Sequence, residues 1–227
     1  MKIVILCGGR GARMNEYTQS IPKSMVMIQD KPLLWYIIRH YQKQLADAEF
    51  ILCLGYKGEM IRDYFIETDF NIQYVDTGEY STKTERLKQI EHLITEDTFM
   101  VAYGDDLCDV DINKLLKFHE SHGKMLTLVS VQLKSDFGIL KINSDNEVKG
   151  FFEKPILEYW MNGGYYVMNK SIFDYLRDIY GDFESSLFPQ LAENREIHAY
   201  DYTGFWKSCN LLKDVQELQN EKRLLNW

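Results

Sequence analysis

Three glycines follow the first apolar segment of the chain, in the stretch Gly8-Gly9-Arg10-Gly11. Residues 2–7, which precede them, are apolar and β-branched, and this composition predicts a strand. A glycine-rich loop after a strand can turn sharply and present successive backbone N–H groups to an anion. The stretch therefore predicts a phosphate-binding loop; from the loop alone, a plain strand-to-helix turn with surface arginines is an equal alternative.

Two common phosphate loops do not match this stretch. A Walker A loop ends in Gly-Lys-Ser/Thr, which is missing here. The dinucleotide fingerprint has a different glycine spacing and requires an acidic residue about twenty positions later. We therefore expect a phosphate site of another kind.

The composition excludes several classes of protein. A net charge of -8 argues against a broad surface for nucleic acid, because DNA and RNA phosphates attract clustered Lys and Arg. No apolar run approaches the length of a membrane span, and no cleavage site follows the amino end, so we expect a cytoplasmic protein without membrane contact. The cysteines are widely spaced, which predicts neither disulfides nor a zinc site. Aromatic residues could cover an interface, so a homo-oligomer stays open.

The elements that must position the loop alternate between strand and helix in the first half. Apolar runs predict strands at residues 2–7, 50–54, 71–75 and 98–103, and helical spacing predicts helices at residues 32–45, 59–66 and 84–93. Such alternation predicts a largely parallel sheet. An acidic residue, Asp105, follows the fourth strand and Gly104, at the sheet edge where open α/β folds bind ligands, and a carboxylate there suits Mg²⁺.

The second half has a different pattern. Strands at residues 125–133, 137–142, 147–153 and 164–168 are separated by short polar turns, which favour antiparallel pairing. Helices at residues 171–178, 184–194 and 211–224 and a strand at residues 197–202 complete the chain. We predict one α/β domain over residues 1–227: a Rossmann-like three-layer sandwich with a mixed, mostly parallel sheet and a small antiparallel extension.

The glycine loop is the first of a series of motifs along the chain. The pattern G-G-x-G-x-R is followed, nine residues after Arg13, by Pro22-Lys23. Further motifs are Gly55-Tyr56-Lys57-Gly58, Val75-Asp76-Thr77-Gly78, Arg86-Leu87-Lys88, Tyr103-Gly104-Asp105, Glu153-Lys154-Pro155, Asn162-Gly163-Gly164 and Gly204-Phe205-Trp206. The whole series resembles the sugar-phosphate nucleotidyltransferase family, in particular its glucose-1-phosphate cytidylyltransferases. It implies that residues 1–110 bind the nucleotide and residues 111–227 bind the acceptor.

The resemblance implies a role for each matching residue. A phosphorylated acceptor attacks the α-phosphorus of the nucleotide and pyrophosphate leaves, so catalysis consists of positioning and charge neutralisation. Arg13 would hold the β- and γ-phosphates, Lys23 would stabilise charge on the α-phosphate, and Asp105 would bind Mg²⁺. The other nucleotide-binding residues would be Leu6, Gly8, Gly9, Gly11, Gly55, Tyr56, Arg86 and Gly104.

On the acceptor side, Lys154 would bind the acceptor phosphate, and Glu153 and Asn162 its hydroxyl groups. Gly138 and Gly163 would let the backbone approach closely. A strand-end lysine and ordinary hairpin turns remain the alternative for each of these residues taken singly.

The chain departs from the family pattern at two places. At the position where the family has its second metal-binding Asp, this chain has Asn210, whose amide oxygen can coordinate Mg²⁺ but carries no charge. A neighbour such as Asp106 could supply the missing charge. Alternatively, Asn210 could simply cap the last helix. The segment near the nucleobase is also altered, with a short connection between Phe65 and Val75 and Lys83-Thr84-Glu85 in place of T-G-G.

We expect a Mg²⁺-dependent enzyme that transfers CMP from CTP to a phosphorylated sugar, giving a CDP-activated precursor for surface polysaccharide. The shortened segment leaves another base open, and a polyol phosphate such as glycerol phosphate is the alternative acceptor. Asn210 and Glu85 also leave open a weakly active paralogue that binds nucleotide for regulation.

Overall fold

The computed structural model describes residues 1–11, 14 and 18–227, and Arg13 lies outside these residues. Within them the helices are α1 Leu33–Gln44, α2 Gly58–Phe65, α3 Lys83–Ile90, α4 Ile112–His122, α5 Ile172–Leu176, α6 Phe183–Glu193 and α7 Leu212–Gln219. The strands are β1 Lys2–Leu6, β2 Met27–Ile28, β3 Lys31–Pro32, β4 Glu49–Leu54, β5 Ile72–Asp76, β6 Thr98–Tyr103, β7 Asp106–Cys108, β8 Leu126–Lys134, β9 Ile139–Ile142, β10 Val148–Phe152, β11 Ile156–Asn169, β12 Ile197–Tyr202 and β13 Trp206–Ser208.

One sheet of seven strands, in the order β12-β8-β11-β6-β1-β4-β5, runs through the centre of the molecule. Strand β1 pairs in parallel with β4 and β6, β4 with β5, and β8 with β12. Strand β11 is antiparallel to both of its neighbours, β6 and β8. The mixed, mostly parallel sheet confirms the predicted fold class, and strands from both halves of the chain share it.

The core lies on both faces of this sheet. Alternate residues of β1 point to opposite faces, so Ile3 and Ile5 pack in one apolar cluster and Val4 and Leu6 in the other. Helices α1, α2, α4 and α7 supply the first cluster, and α3, α5 and α6 the second. The result is the predicted sandwich of helix, sheet and helix layers.

Three small antiparallel pairs stand beside the main sheet: β2 with β3, β7 with β13, and the hairpin of β9 and β10. The hairpin is the predicted antiparallel extension. The other two pairs were not predicted, and β7 with β13 places the segment after Asp105 beside the segment before Asn210. No helix within the described residues is both long and apolar enough to cross a bilayer.

The structure corrects two predicted elements. Strand β11 begins at Ile156, eight residues before the predicted start at residue 164, because its outer half pairs with the far end of β8. The closing helix ends at Gln219 rather than near residue 224, and a short 3-10 turn, Lys222–Asn226, follows it.

Candidate active site

The glycine loop lies at the carboxyl edge of the parallel strands. Because β1, β4 and β6 are parallel, the segments that follow them meet at this edge. The carbonyl of Gly8 accepts a hydrogen bond from the backbone N–H of Tyr56 (3.0 Å), and the carbonyl of Leu6 accepts one from Gly104 (3.1 Å). Three predicted nucleotide-binding segments are therefore held together by backbone hydrogen bonds.

Close backbone approach explains two of the predicted glycines. A Cβ atom on Gly55 would lie 2.5 Å from the carbonyl oxygen of Gly8, and a Cβ atom on Gly8 would collide with the guanidinium of Arg86. The hydroxyl of Tyr56 donates to the carbonyl of Gln19 (2.9 Å). Only glycine fits where these two loops cross.

Arg86 is buried and binds the same loops. Its Nη1 donates to the Leu54 carbonyl (2.9 Å) and to Thr77 Oγ1 (2.6 Å), and its Nη2 donates to the carbonyls of Gly8 (3.2 Å) and Glu79 (3.4 Å). Burial lowers the pKa of its guanidinium. Arg86 thus links the loops that follow β1, β4 and β5, while it also lines the main cavity.

The glycine loop also contacts Lys23. Gly11 has a φ of 63°, in the left-handed region that favours glycine, and a Cβ atom on it would lie 2.8 Å from Cβ of Lys23. Lys23 begins a short 3-10 turn, Lys23–Met25, directly after Pro22. The turn buries the stem of Lys23 against the loop and directs its ammonium group toward the end of β6.

The ammonium group of Lys23 lies between two oxygen atoms from distant parts of the chain. It forms an ion pair with Asp105 and donates a hydrogen bond of 2.8 Å to Oδ1 of Asn210. The amide nitrogen of Asn210 donates to Oγ of Ser208 at 2.5 Å, which fixes the amide so that its oxygen faces Lys23. The structure therefore brings together three predicted residues that are up to 187 positions apart.

Asn210 does not cap the last helix with its side chain. The carboxylate of Asp214 instead accepts hydrogen bonds from the backbone N–H groups of Asn210 (2.9 Å) and Leu211 (2.7 Å). The amide oxygen of Asn210 is left to face the site, which overturns the capping alternative.

Asp105 and Asn210 are a suitable donor set for a hard cation. Both present an oxygen atom to the point that the Lys23 ammonium now contacts, and Mg²⁺ prefers oxygen ligands and keeps several waters or phosphate oxygens besides. Among the described residues no group of three or more His, Cys, Asp or Glu side chains could hold a metal. Any metal here would depend on one carboxylate, one amide and the substrate phosphates.

Asp106, at the start of β7, is a second carboxyl group in the same cavity. It is buried, and burial together with the charge of Asp105 raises its pKa to about 8. The hydroxyl of Ser208, the residue that also contacts Asn210, hydrogen-bonds this carboxyl group. No sequence pattern predicts this burial, because it depends on the pairing of Asp106 with Ser208 across two three-residue strands.

A cavity of about 1240 Å³ extends from the glycine loop toward the β9–β10 hairpin. A smaller one of about 320 Å³, lined by Gly9, Gly11, Lys23 and Gly104, adjoins it. Both share Leu6, Gly9, Asp105 and Asn210 in their walls, so they form one continuous space. This space is open both to the glycine loop and to residues of the second half of the chain.

The predicted acceptor residues are divided between this cavity and its surroundings. Lys154 and Asn162 line it. Asn162 donates to the hydroxyl of Tyr166 (2.6 Å), and the Gly163 carbonyl accepts from the indole N–H of Trp206 (2.8 Å). Gly138 and Glu153 flank the β9–β10 hairpin, outside the cavity lining, and a Cβ atom on Gly138 would lie 3.1 Å from the Glu153 carboxylate.

Lys83 is a cavity residue that the sequence did not single out as functional. Its ammonium group forms an ion pair with Glu184 and lies 3.3 Å from the hydroxyl of Tyr103, which also donates to Glu184. The hydroxyl of Tyr166 donates to that of Tyr103 (2.7 Å), so this network connects to Asn162. Its only sequence signal is the replacement of the family T-G-G by Lys83-Thr84-Glu85.

Comparisons with known proteins agree with the sequence motifs. The family model described as Nucleotidyl transferase matches residues 2–215. The chain is 34% identical to the probable glucose-1-phosphate cytidylyltransferase of Bacillus subtilis (strain 168), over 96% of this chain and 94% of that protein. It is 34% identical to the glucose-1-phosphate cytidylyltransferase of Salmonella typhimurium (strain LT2), over 100% and 98%.

Among solved structures, the chain is similar to HddC from Yersinia pseudotuberculosis complexed with GMP-PN. The TM-score is 0.72 at 25% identity, over 96% of this chain and 97% of that one. Sequence and structure comparisons thus agree over nearly the full length. The chain belongs to the nucleotidyl transferase family, and it is an enzyme of nucleotidyl transfer.

Proposed function

We propose that this enzyme transfers CMP from CTP to a phosphorylated sugar, with release of pyrophosphate. The observation that carries the proposal is the convergence of Lys23, Asp105 and Asn210 on one point, where the glycine-loop cavity meets the large cavity. A nucleotidyl group that passes from one substrate to another needs such a junction. The CDP-activated product would serve the synthesis of surface polysaccharide in the cytoplasm.

In this mechanism an oxygen of the acceptor phosphate attacks the α-phosphorus, a new P–O bond forms, and the bond to the β-phosphate breaks as pyrophosphate leaves. The backbone N–H groups around Gly9 and Gly11 bind the nucleotide phosphates. Lys23 donates to the α-phosphate oxygens as charge develops on them. Arg13, outside the described residues, would bind the leaving β- and γ-phosphates.

Asp105 and Asn210 would hold Mg²⁺, which neutralises phosphate charge when bound. The ammonium group of Lys23 contacts an oxygen atom of each, so both side chains are directed to the same point. The side-chain contact between Ser208 and Asn210 supports the same orientation of the amide.

Cytosine is the proposed base because the two cytidylyltransferases match the chain over nearly its whole length. The base would lie beside the backbone of Gly8, Gly55 and Tyr56, which Arg86 holds in place. A relative whose structure holds a guanine nucleotide analogue makes GTP the main competitor. Lys83 lines this part of the cavity and begins the segment Lys83-Thr84-Glu85, which stands in place of the family T-G-G.

A sugar phosphate is the proposed acceptor because the cavity is large and Lys154 and Trp206 face it. A lysine binds the phosphate, and an indole ring offers an apolar surface to the C–H face of a sugar ring. A polyol phosphate needs fewer contacts, and only the short segment between Phe65 and Val75 supports it.

The decisive experiment measures pyrophosphate release with four NTPs, each combined with a panel of sugar 1-phosphates and polyol phosphates. We expect turnover with CTP and a hexose 1-phosphate, at least about tenfold above every other NTP. Turnover with glycerol phosphate alone would refute the sugar acceptor. Tight CTP binding by calorimetry, with no turnover across the panel, would favour the regulatory paralogue.

Replacing the central lysine tests the mechanism itself. Lys23→Ala should reduce kcat at least about a hundredfold, because the variant loses the cation beside the α-phosphate. Lys117→Ala, at an exposed helix position remote from the cavity, is the matched control and should keep full activity. Near-normal pyrophosphate release by a folded Lys23→Ala enzyme would contradict the role proposed for Lys23.

A further inference from the structure

A line of hydrogen bonds connects a half-buried carboxylate to the wall of the large cavity. It begins at Glu184, in α6, and runs through the hydroxyl groups of Tyr103 and Tyr166 to the side-chain amide of Asn162. We call these four residues the relay. Asn162 lines the cavity, whereas Glu184 lies outside the cavity lining. The relay is therefore a route by which this carboxylate can act on the cavity.

The chemistry of the four groups fixes the direction of each hydrogen bond in the relay. A carboxylate only accepts, so Tyr103 donates to Glu184. A hydroxyl group has one hydrogen, so the oxygen of Tyr103 accepts from Tyr166 (2.7 Å). The oxygen of Tyr166 in turn accepts from the NH2 group of Asn162 (2.6 Å). The carboxylate at one end thus sets which side of the amide faces Tyr166 at the other.

A second contact agrees with this orientation of the amide. The backbone N–H of Gly164, which can only donate, bonds to Oδ1 of Asn162 at 3.0 Å. Among the described residues, one N–H and one lone pair of the Asn162 amide are then left over. A sugar hydroxyl both donates and accepts, so it matches this remaining pair.

Lys83, the first residue of α3, holds the other end of the relay. Its ammonium group forms an ion pair with Glu184 and lies 4.6 Å from the centre of the Tyr103 ring. The second carboxylate oxygen of Glu184, Oε2, is buried and accepts no hydrogen bond from the described residues. A buried oxygen without a partner costs free energy of folding. Stability alone therefore does not explain a carboxylate at this position.

We propose that Glu184 is a positioning residue of the acceptor site, which acts on Asn162 through the two tyrosines of the relay. The inference rests on the proposed function, because it assigns Asn162 to the hydroxyl groups of a phosphorylated acceptor. Without the carboxylate, the nearest polar group to the Tyr103 hydroxyl on that side is the ammonium of Lys83, at 3.3 Å, which only donates. The hydroxyl hydrogens then turn the other way, and Tyr166 directs its hydrogen at an NH2 group that cannot accept it.

NMR of the side-chain amides in the full chain measures this orientation without any substrate. The NH2 signals of Asn162, assigned by their loss in Asn162→Asp, should include one proton shifted downfield by its bond to Tyr166. Glu184→Ala should remove this shift. Glu184→Gln, whose amide oxygen still accepts from Tyr103, should retain it. Glu193→Ala, at an exposed position of the same helix, is the matched control and should leave these signals unchanged.

Kinetics with an interrupted relay separate positioning from stability. With glucose 1-phosphate as acceptor, Glu184→Ala should raise the acceptor KM about tenfold, while kcat and the KM for CTP change by less than about twofold. Tyr166→Phe, which removes one hydroxyl group, should have a similar effect. The double variant should also show a rise of about tenfold, because the relay is already broken, whereas independent roles would multiply to about a hundredfold. Tyr103→Phe interrupts the relay one step earlier and serves if Tyr166→Phe does not fold.

Two results would overturn the inference. One is an Asn162 signal that Glu184→Ala leaves unchanged. The other is a rise of about a hundredfold in the double variant, which would mean that Glu184 and Tyr166 act independently. Absence of turnover by the unmodified enzyme with every phosphorylated acceptor would instead refute the proposed function, and the NMR measurement would still decide whether Glu184 orients Asn162.

Discussion

Replacing Arg86 by alanine should cost the protein about 3 kcal/mol of unfolding free energy. The two short hydrogen bonds from Nη1, to the Leu54 carbonyl and Thr77 Oγ1, are made by a charged donor and are worth about 1.5–3 kcal/mol each. The bonds to Gly8 and Glu79, at 3.2 and 3.4 Å, add little. The cost of burying the guanidinium, which also lowers its pKa, offsets part of this sum.

Urea denaturation measures this change, and the KM for nucleotide shows its effect on the site. We expect KM to rise about tenfold, because the carbonyl of Gly8 loses one of its two hydrogen bonds and the loops are less well held. Arg177→Ala, at a side chain that is 67% exposed, should change stability by less than about 0.5 kcal/mol. If Arg86→Ala raised KM without loss of stability, Arg86 would contact the nucleotide directly rather than position the loops.

Four further perturbations test separate features of the site and fold. Gly8→Ala should destabilise by about 1–3 kcal/mol in urea because its Cβ atom meets Arg86, whereas Gly9→Ala, with no atom near its Cβ position, should not. Asn210→Asp should lower the Mg²⁺ concentration for half-maximal pyrophosphate release, and an unchanged Mg²⁺ response would count against a metal role for position 210. The pKa of Asp106 is raised in the folded protein to about 8, from an ordinary value near 4, so Asp106 contributes most to stability at low pH. This contribution to the unfolding free energy is lost as pH rises toward 8. Asp106→Asn should therefore flatten that part of the curve of stability against pH. Asp111→Ala should cost about 1 kcal/mol in thermal unfolding, since Asp111 accepts the N-cap hydrogen bond of Lys114 (2.9 Å).

Periodicity predicted most of the fold because most elements bury one face. The strands Thr98–Tyr103 and Ile197–Tyr202 have the predicted bounds, and helix α1 differs by one residue at each end. The outer half of β11 was missed because its side chains are exposed and it is defined only by pairing with β8. The three-residue strands β7 and β13 are too short to show any period.

The site was predicted in part, and for a different reason. Spacing alone indicated a phosphate loop, and only the resemblance to a family connected Lys23, Asp105 and Asn210. Their contact depends on a crossing of distant segments that no local pattern records. No local pattern predicts that Arg86 donates hydrogen bonds to backbone carbonyls, or that Lys83 belongs to a hydrogen-bond network with Glu184.

Strand β11 runs antiparallel to its neighbours, and its two halves lie in different environments. Its inner residues, 165–169, pair with β6 inside the sheet, and its outer residues, 156–162, pair with β8 and not with β6. Substitutions in the outer half can therefore accumulate without disturbing the packed interior. Exchange of the β9–β10 hairpin and the outer half of β11 could therefore change the acceptor side of the cavity, while the other half of the chain keeps the same chemistry.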